Sequence, residues 1–323
     1  MMDAGVRSGT IVTLTMNPAI DASTSVERVT PDDKLRCDAL RREPGGGGIN
    51  VARAIGRLGG DALALYPAGG AMGALLEKML EDEPVRQERL DVAGSTRENV
   101  TVAESSTDRQ YRFVMPGAEL TGAECSAILD RMDALDPAPD YVVASGSLPP
   151  GVGPEFHARL GRRARDHGAR FVLDTSGAAL REGLASGAWL IKPNLRELGQ
   201  IAGRDVSDDT EQERVARGLV DNGVVDVVVV SLGAAGALLV TAGGCQRIRA
   251  PTVPIRSRVG AGDSTVAGIV LGMVRGLSVS EAVRYGVAAG AAAVMTPGSE
   301  LCRRGDTERL FARLQDDPVA SSA

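Results

Sequence analysis

Short runs of β-branched and other apolar residues alternate along this chain with stretches whose apolar positions recur every three or four residues. IVTLTM (11–16), DALALYPAGG (61–70), YVVASGSLP (141–149), FVLDTS (171–176), WLIKPN (189–194) and DVVVVSLG (226–233) read as strands that run into polar or glycine-rich turns. INVARAIGRLGG (49–60), apolar at 49, 51, 55 and 58, and MGALLEKMLEDE (72–83) read as helices. Most of these strands are apolar almost throughout, the pattern of strands covered on both faces. The chain is therefore predicted to be α/β, a doubly wound and mostly parallel sheet flanked by helices. Two segments break the rhythm: 18–44 and 96–116 alternate polar and apolar positions, the second with a hairpin signal at SSTDRQ (105–110). They predict a small antiparallel flap, or lid, on a single domain spanning 1–323.

Composition narrows the function more than it changes the fold. With 43% hydrophobic and 24% charged residues the chain has the make-up of a soluble globular protein. A net charge of −6 argues against nucleic acid or an anionic membrane as partner. The N-terminus has no apolar segment after a basic start, and no run reaches the length of a membrane span, which points to the cytoplasm. Cys37, Cys125, Cys245 and Cys302 are too scattered for a zinc site or a disulfide framework and read as reduced thiols. His157 and His167 lie in a charged helical stretch and read as solvent-facing, so a histidine-centred hydrolase is not expected. Neither G-x-x-x-x-G-K-[ST] nor a strand–GxGxxG–helix occurs. About nine residues at the start and eight at the end read as disordered tails.

Four motifs carry chemistry. Gly260-Ala261-Gly262-Asp263 opens an apolar helix, so its backbone amides could bind an anion while Asp263 accepts a hydroxyl proton. The structural alternative is Asp263 as an ordinary helix cap. The run Gly45–Gly48 feeding Asn50 would let backbone, at Gly46, Gly47 and Gly48, approach a ligand, with Asn50 on its hydroxyls; a flexible hinge is the plainer alternative. At the end of a strand, Lys192-Pro193-Asn194 is followed by Glu197, and a helical turn would put Asn194 and Glu197 on one face. That pair suits Mg²⁺ held partly through water, or a capping box, or both. Ser231, Gly233 and Gly236 form a further strand–turn suited to phosphate or ribose. Arg97 and Arg112 lie on the flap, where guanidiniums could meet a phosphate. Lysine supplies only three of the 36 cations, so simple solvation of any one arginine is a strong competing reading.

The order of these motifs resembles the ribokinase, or PfkB-type, carbohydrate kinase family over residues 11–314. The opening TLTMNPAID (13–21) looks like the phosphosugar kinase branch. KLR (34–36), EPGGGGINVARAI (43–55), QYRFVMPGA (110–118) and SGSLPPGV (145–152) are most similar to the minor bacterial 6-phosphofructokinase group. The resemblance implies a ribokinase-like fold and transfer of phosphate from Mg·ATP to the C1 hydroxyl of fructose 6-phosphate. A 1-phosphofructokinase, a tagatose-6-phosphate kinase and a catalytically silent sugar-phosphate sensor are the alternatives. It implies Asp263 as base with Gly260, Ala261 and Gly262 as the anion loop, and Lys192, Asn194, Ser231, Gly233 and Gly236 on ATP. Asp21, Lys34, Arg36, Gly46–Gly48, Asn50, Arg97, Arg112 and Ser147 would hold the sugar phosphate. Glu197 and Asn194 would serve Mg²⁺, and carbonyls of Ser257, Val259, Ala293 and Gly298, near Thr296, would hold K⁺. It also implies a homodimer paired through the flaps, Arg97 reaching the neighbouring subunit's substrate.

Overall fold

The protein is seen in a computed structural model that describes residues 9–107, 109–298 and 300–316. In chain order the strands are β1 (Ile11–Leu14), β2 (Ala19–Val26), β3 (Arg41–Gly45), β4 (Leu63–Ala68), β5 (Arg86–Asp91), β6 (Arg97–Glu104) and β7 (Arg109–Phe113). Then come β8 (Tyr141–Ser145), β9 (Arg170–Asp174), β10 (Leu190–Ile191), β11 (Val227–Ser231), β12 (Ala237–Thr241) and β13 (Gly244–Ile248). The helices are α1 (Gly47–Arg57), α2 (Gly70–Glu81), α3 (Gly122–Asp133), α4 (Phe156–Asp166) and α5 (Gly177–Gly183), followed by α6 (Leu195–Ala202), α7 (Asp209–Asp221), α8 (Ala261–Val274), α9 (Val279–Val294) and α10 (Arg304–Asp316). The tails read as disordered lie largely outside the described residues, as does Asp108 of the hairpin signal.

Nine strands form one sheet in the order β13-β12-β11-β10-β9-β8-β1-β4-β5. From β5 to β11 every neighbour pair is parallel, and β12 and β13 close that edge as an antiparallel hairpin. Parallel neighbours need crossovers, and helices supply them on both faces. Val227 and Val229 enter a core shared with α1, α8, α9 and α10, while Val228 and Val230 enter one shared with α3 to α7. That two-sided burial is why these strands carry unbroken valine. The chain runs outward from β1 through β4 to β5 and resumes on the other side at β8, so the order reverses between β1 and β8. Ligand sites in such sheets lie at the carboxyl ends of the strands beside this reversal.

The alternating segments form a separate four-stranded sheet, β3-β2-β6-β7. Its outer pairs are antiparallel, and β2 and β6 run parallel with Asp21 beside Asn99. Alternation reports one open face but not strand direction, so the parallel pair was invisible in the sequence. Ile20 packs into a small core with Ile49, Tyr66 and Leu76, while Asp21 faces the open side.

His157 departs from its expected solvent exposure. It sits near the start of α4 at 2% exposure, edge-on to Phe156, with neither ring nitrogen hydrogen-bonded among the described residues. Burial pushes its pKa down to about 4. The charge of the surrounding residues belongs to the outer face of α4, and position 157 falls on the inner one. His167, just past the helix, is half exposed and meets Asp133 at 3.2 Å.

Candidate active site

Helix α8 begins without a side-chain cap. Gly260 occupies the N-cap at φ +74°, and a Cβ there would lie 2.4 Å from Leu301. The first turn therefore presents the amides of Ala261, Gly262 and Asp263 ahead of the helix's own acceptors. Asp263 is the third helical residue, not the cap, which leaves its carboxylate free to face the cleft. Burial, with the charge of Asp174, pushes this carboxyl up to about 7; a hydrogen bond from Asn50 Nδ2 at 2.9 Å and the charge of Lys192 act in the opposite direction.

Lys192 lies at the end of β10, nearly buried, with its ammonium 3.2 Å from Asp174 Oδ1. Burial alone would lower the Lys192 pKa, and Asp174, together with Asp263 and Glu197, more than offsets this. A Cβ on Gly262 would sit 3.4 Å from Lys192 Nζ, so the cation lies directly against the first turn of α8. Asp174, at the carboxyl end of β9, is absent from the sequence-based site. Its only signal was an acid at the end of an apolar strand, FVLDTS.

The glycine run is packed against protein where side chains would stand. A Cβ at Gly47 would meet Ser145 Oγ at 2.4 Å and one at Gly48 the Leu14 carbonyl at 2.6 Å, while Gly46 serves as N-cap of α1. These glycines let α1 start between β1 and β8, at the reversal of the sheet, and so aim Asn50 at Asp263. Asp21 accepts from Asn99 Nδ2 at 2.8 Å. It lines a cavity of about 330 Å³ under the open face of the small sheet, with Asn99, Arg112, Arg256, Ser257 and Gly298. Arg112 has no hydrogen bond or ion pair among the described residues. Arg97 is turned inward: it donates to the carbonyls of Met115 at 2.7 Å and Asn17 at 2.9 Å, and burial draws its pKa below the ordinary value. Asn17 in turn donates to Ser147 Oγ at 3.3 Å. Lys34 and Arg36 are exposed on the excursion between β2 and β3, outside the residues lining this cavity.

Asn194 caps α6, its Oδ1 accepting from Glu197 N and Glu197 Oε2 accepting from Asn194 N, both at 2.9 Å. The reciprocal cap forms, and it engages only one of the two Glu197 oxygens. Ser231, at the end of β11, bridges to Asn194, and Gly233 and Gly236 lie in the turn that follows. Among the described residues no three His, Cys, Asp or Glu side chains cluster as a metal cage. The donors that are present suit a magnesium ion carried in on phosphate oxygens. Ser257, Val259 and Gly298 share the wall of the small-sheet cavity, but the Ala293 carbonyl lies outside it and already accepts from Thr296 Oγ1 at 2.8 Å.

The profile described as pfkB family carbohydrate kinase matches residues 10–304. ATP-dependent 6-phosphofructokinase isozyme 2 of Mycobacterium tuberculosis is 48% identical over 301 residues, 93% of this chain and 88% of its own length. The crystal structure of phosphofructokinase-2 from Escherichia coli in complex with potassium superposes with a TM-score of 0.91 at 42% identity, covering 95% of this chain and 99% of that one. A 1-phosphofructokinase of Rhodobacter capsulatus is more distant, 34% identical over 86% of this chain and 88% of its own.

Proposed function

As the chain belongs to the pfkB family of carbohydrate kinases, we propose that it transfers the γ-phosphoryl group of ATP to the C1 hydroxyl of fructose 6-phosphate, giving fructose 1,6-bisphosphate and ADP. The observation that carries the reading is Asp263: a carboxyl with a pKa near 7, at an uncapped helix start, within range of the charge of Asp21, which lines the polar cavity. The sugar lies in the cavity under the small sheet, with Asp21, Asn50 and the Gly46–Gly48 turn on its hydroxyls and Arg112 toward its phosphate. ATP lies along the ends of β10 and β11, on Asn194, Ser231 and the Gly233–Gly236 turn, with Lys192 at its phosphates.

Asp263 takes the proton of the C1 hydroxyl as that oxygen bonds to the γ-phosphorus and the bond to the β-phosphate oxygen breaks. The amides of Ala261, Gly262 and Asp263, freed by the turn at Gly260, meet the charge on the transferring group, and Lys192 meets the charge left on ADP. Glu197 and Asn194 are the residues that would hold a magnesium ion arriving with ATP, and that ion would supply charge neutralisation. Carbonyls of Ser257, Val259 and Gly298, near Thr296, would hold a potassium ion, while the Ala293 carbonyl already accepts from Thr296 Oγ1. Four free cysteines suit the reducing cytoplasm.

A coupled ADP-release assay across fructose 6-phosphate, fructose 1-phosphate, tagatose 6-phosphate and free fructose tests the assignment. The highest kcat/KM is expected with fructose 6-phosphate. A higher value with either other phosphosugar reassigns the substrate, and no ADP release with any of them leaves a sensor.

A further inference from the structure

Arg53 lies on α1 one turn beyond Asn50, fully buried at 1% exposure. Its Nη1 donates to the Pro44 carbonyl at 3.0 Å and to Asn50 Oδ1 at 3.3 Å, and its Nη2 to Glu83 Oε1 at 2.5 Å. Its Nε is buried without a partner among the described residues. Arg57, one turn further, donates to Glu83 and to the backbone carbonyl of Glu300, and the Glu300 carboxylate pairs with Arg41 of β3. Although burial alone would raise it, the guanidiniums of Arg53 and Arg57 hold the Glu83 carboxyl below its ordinary value.

A buried cation with one unmet N–H is a costly way to stabilise a helix, since apolar packing could fill the same space. Its chemistry is better matched to a different task. A guanidinium can only donate, so the group of Asn50 facing it must be the amide oxygen. That fixes the amide nitrogen on the opposite side, against Asp263 Oδ2 at 2.9 Å. A flipped amide would set N–H₂ against the guanidinium and C=O against the carboxylate, two repulsive contacts in place of two bonds. The same Arg53 nitrogen grips the Pro44 carbonyl, which leads into the glycine run.

From this geometry we infer that Arg53, held by Glu83, is a positioning residue that sets the orientation of the Asn50 amide and thereby the ionisation and placement of Asp263. The inference rests on the reading of Asp263 as the base. The other groups around that carboxylate are Asp174 from β9, Lys192 after β10 and Asp21 from β2, none of which touches Arg53. Removing the guanidinium frees the amide to flip, and Asp263 loses a donor that favours its charged form.

The test is the pH dependence of kcat for wild type, Arg53→Met, Arg53→Lys and Asn50→Ala, with KM for ATP and the melting temperature recorded for each. The acid limb of the wild type near pH 7 tests the base; its displacement tests Arg53. Arg53→Met is expected to lower kcat about 10–100-fold and move the limb to higher pH, with KM for ATP within twofold. Arg53→Lys keeps a charge for Glu83 but cannot reach Pro44 and Asn50 together, so it should fold where the methionine variant does not and show the same displacement. In the double variant with Asn50→Ala, the Arg53 change should displace the limb no further, because Asn50 carries the effect. A folded Arg53 variant with the wild-type limb overturns the inference, as do additive displacements in the double variant.

Discussion

At Asp263, burial and the Asp174 charge work against Asn50 and Lys192, and the balance leaves the carboxyl near 7. A base must be ionised to accept a proton, so kcat should fall about tenfold per pH unit below that value and level off above it. Asp263→Asn should lose about 10²–10⁴ in kcat while fructose 6-phosphate still binds, measured by steady-state rates beside calorimetric titration. Turnover close to wild type would remove it as the base. His157 makes a different statement. Its pKa of about 4 in the fold, against 6.5 for the free side chain, means that the unfolded chain takes up a proton first as the pH falls. Stability is therefore complete above pH 6.5 and drains away between 6.5 and 4, by about 3 kcal/mol from this residue. His157→Leu should flatten that slope, read as the melting temperature at pH 7 against pH 5; an unchanged slope would mean another group titrates there.

Elements set the reach of these residues. Helix α8 is apolar on all sides because it is packed from every direction, and a Cβ at Gly268 would lie 2.7 Å from the Cα of Gly286 on α9. Gly268→Val should force the two helices apart at a cost of about 1–3 kcal/mol, seen as a lower melting temperature. Because the anion loop sits at the same helix's start, kcat should drop as well; full activity at reduced stability would show that the loop is held from elsewhere. The small sheet offers Arg112 unpaired, whereas Arg97 braces Asn17 and Met115. Removing the Arg112 charge should cost about 1.5–3 kcal/mol of phosphate recognition, roughly 10–150-fold in kcat/KM for fructose 6-phosphate. Arg112→Ala should leave KM for ATP and the slow turnover of free fructose unchanged. Kinetics within twofold of wild type would mean the phosphate lies elsewhere.

For the whole molecule the small sheet raises the question of assembly. Phe113 on β7, Val114 and Met115 just after it, and Leu35 and Leu40 on the excursion between β2 and β3 are exposed large apolar side chains, and an edge with such neighbours invites pairing. A dimer joined flap to flap would cover them. Analytical ultracentrifugation with activity measured at nanomolar concentration decides the point. A fully active monomer would rule the dimer out.

The α/β class and the main buried strands were legible in the sequence, and Asp263, Asn50, Asn194 and Lys192 could be nominated from it, because each of these readings depends on local pattern. Two-sided burial writes itself as valine runs, a capping box as N-x-x-E, and a close helix start as glycine. What the sequence could not supply was direction and partnership across space. The parallel pairing of β2 with β6, the inward turn of Arg97 and the burial of His157 depend on which element lies against which face. Asp174 became visible only when β9 and β10 stood side by side and set it against Lys192. The link from Glu83 through Arg53 to Asn50 likewise joins residues whose contact is made by the docking of α1 beside the chain that follows α2. Hydrogen bonds and ion pairs act over a few ångströms, and only the tertiary fold decides which groups come within that range.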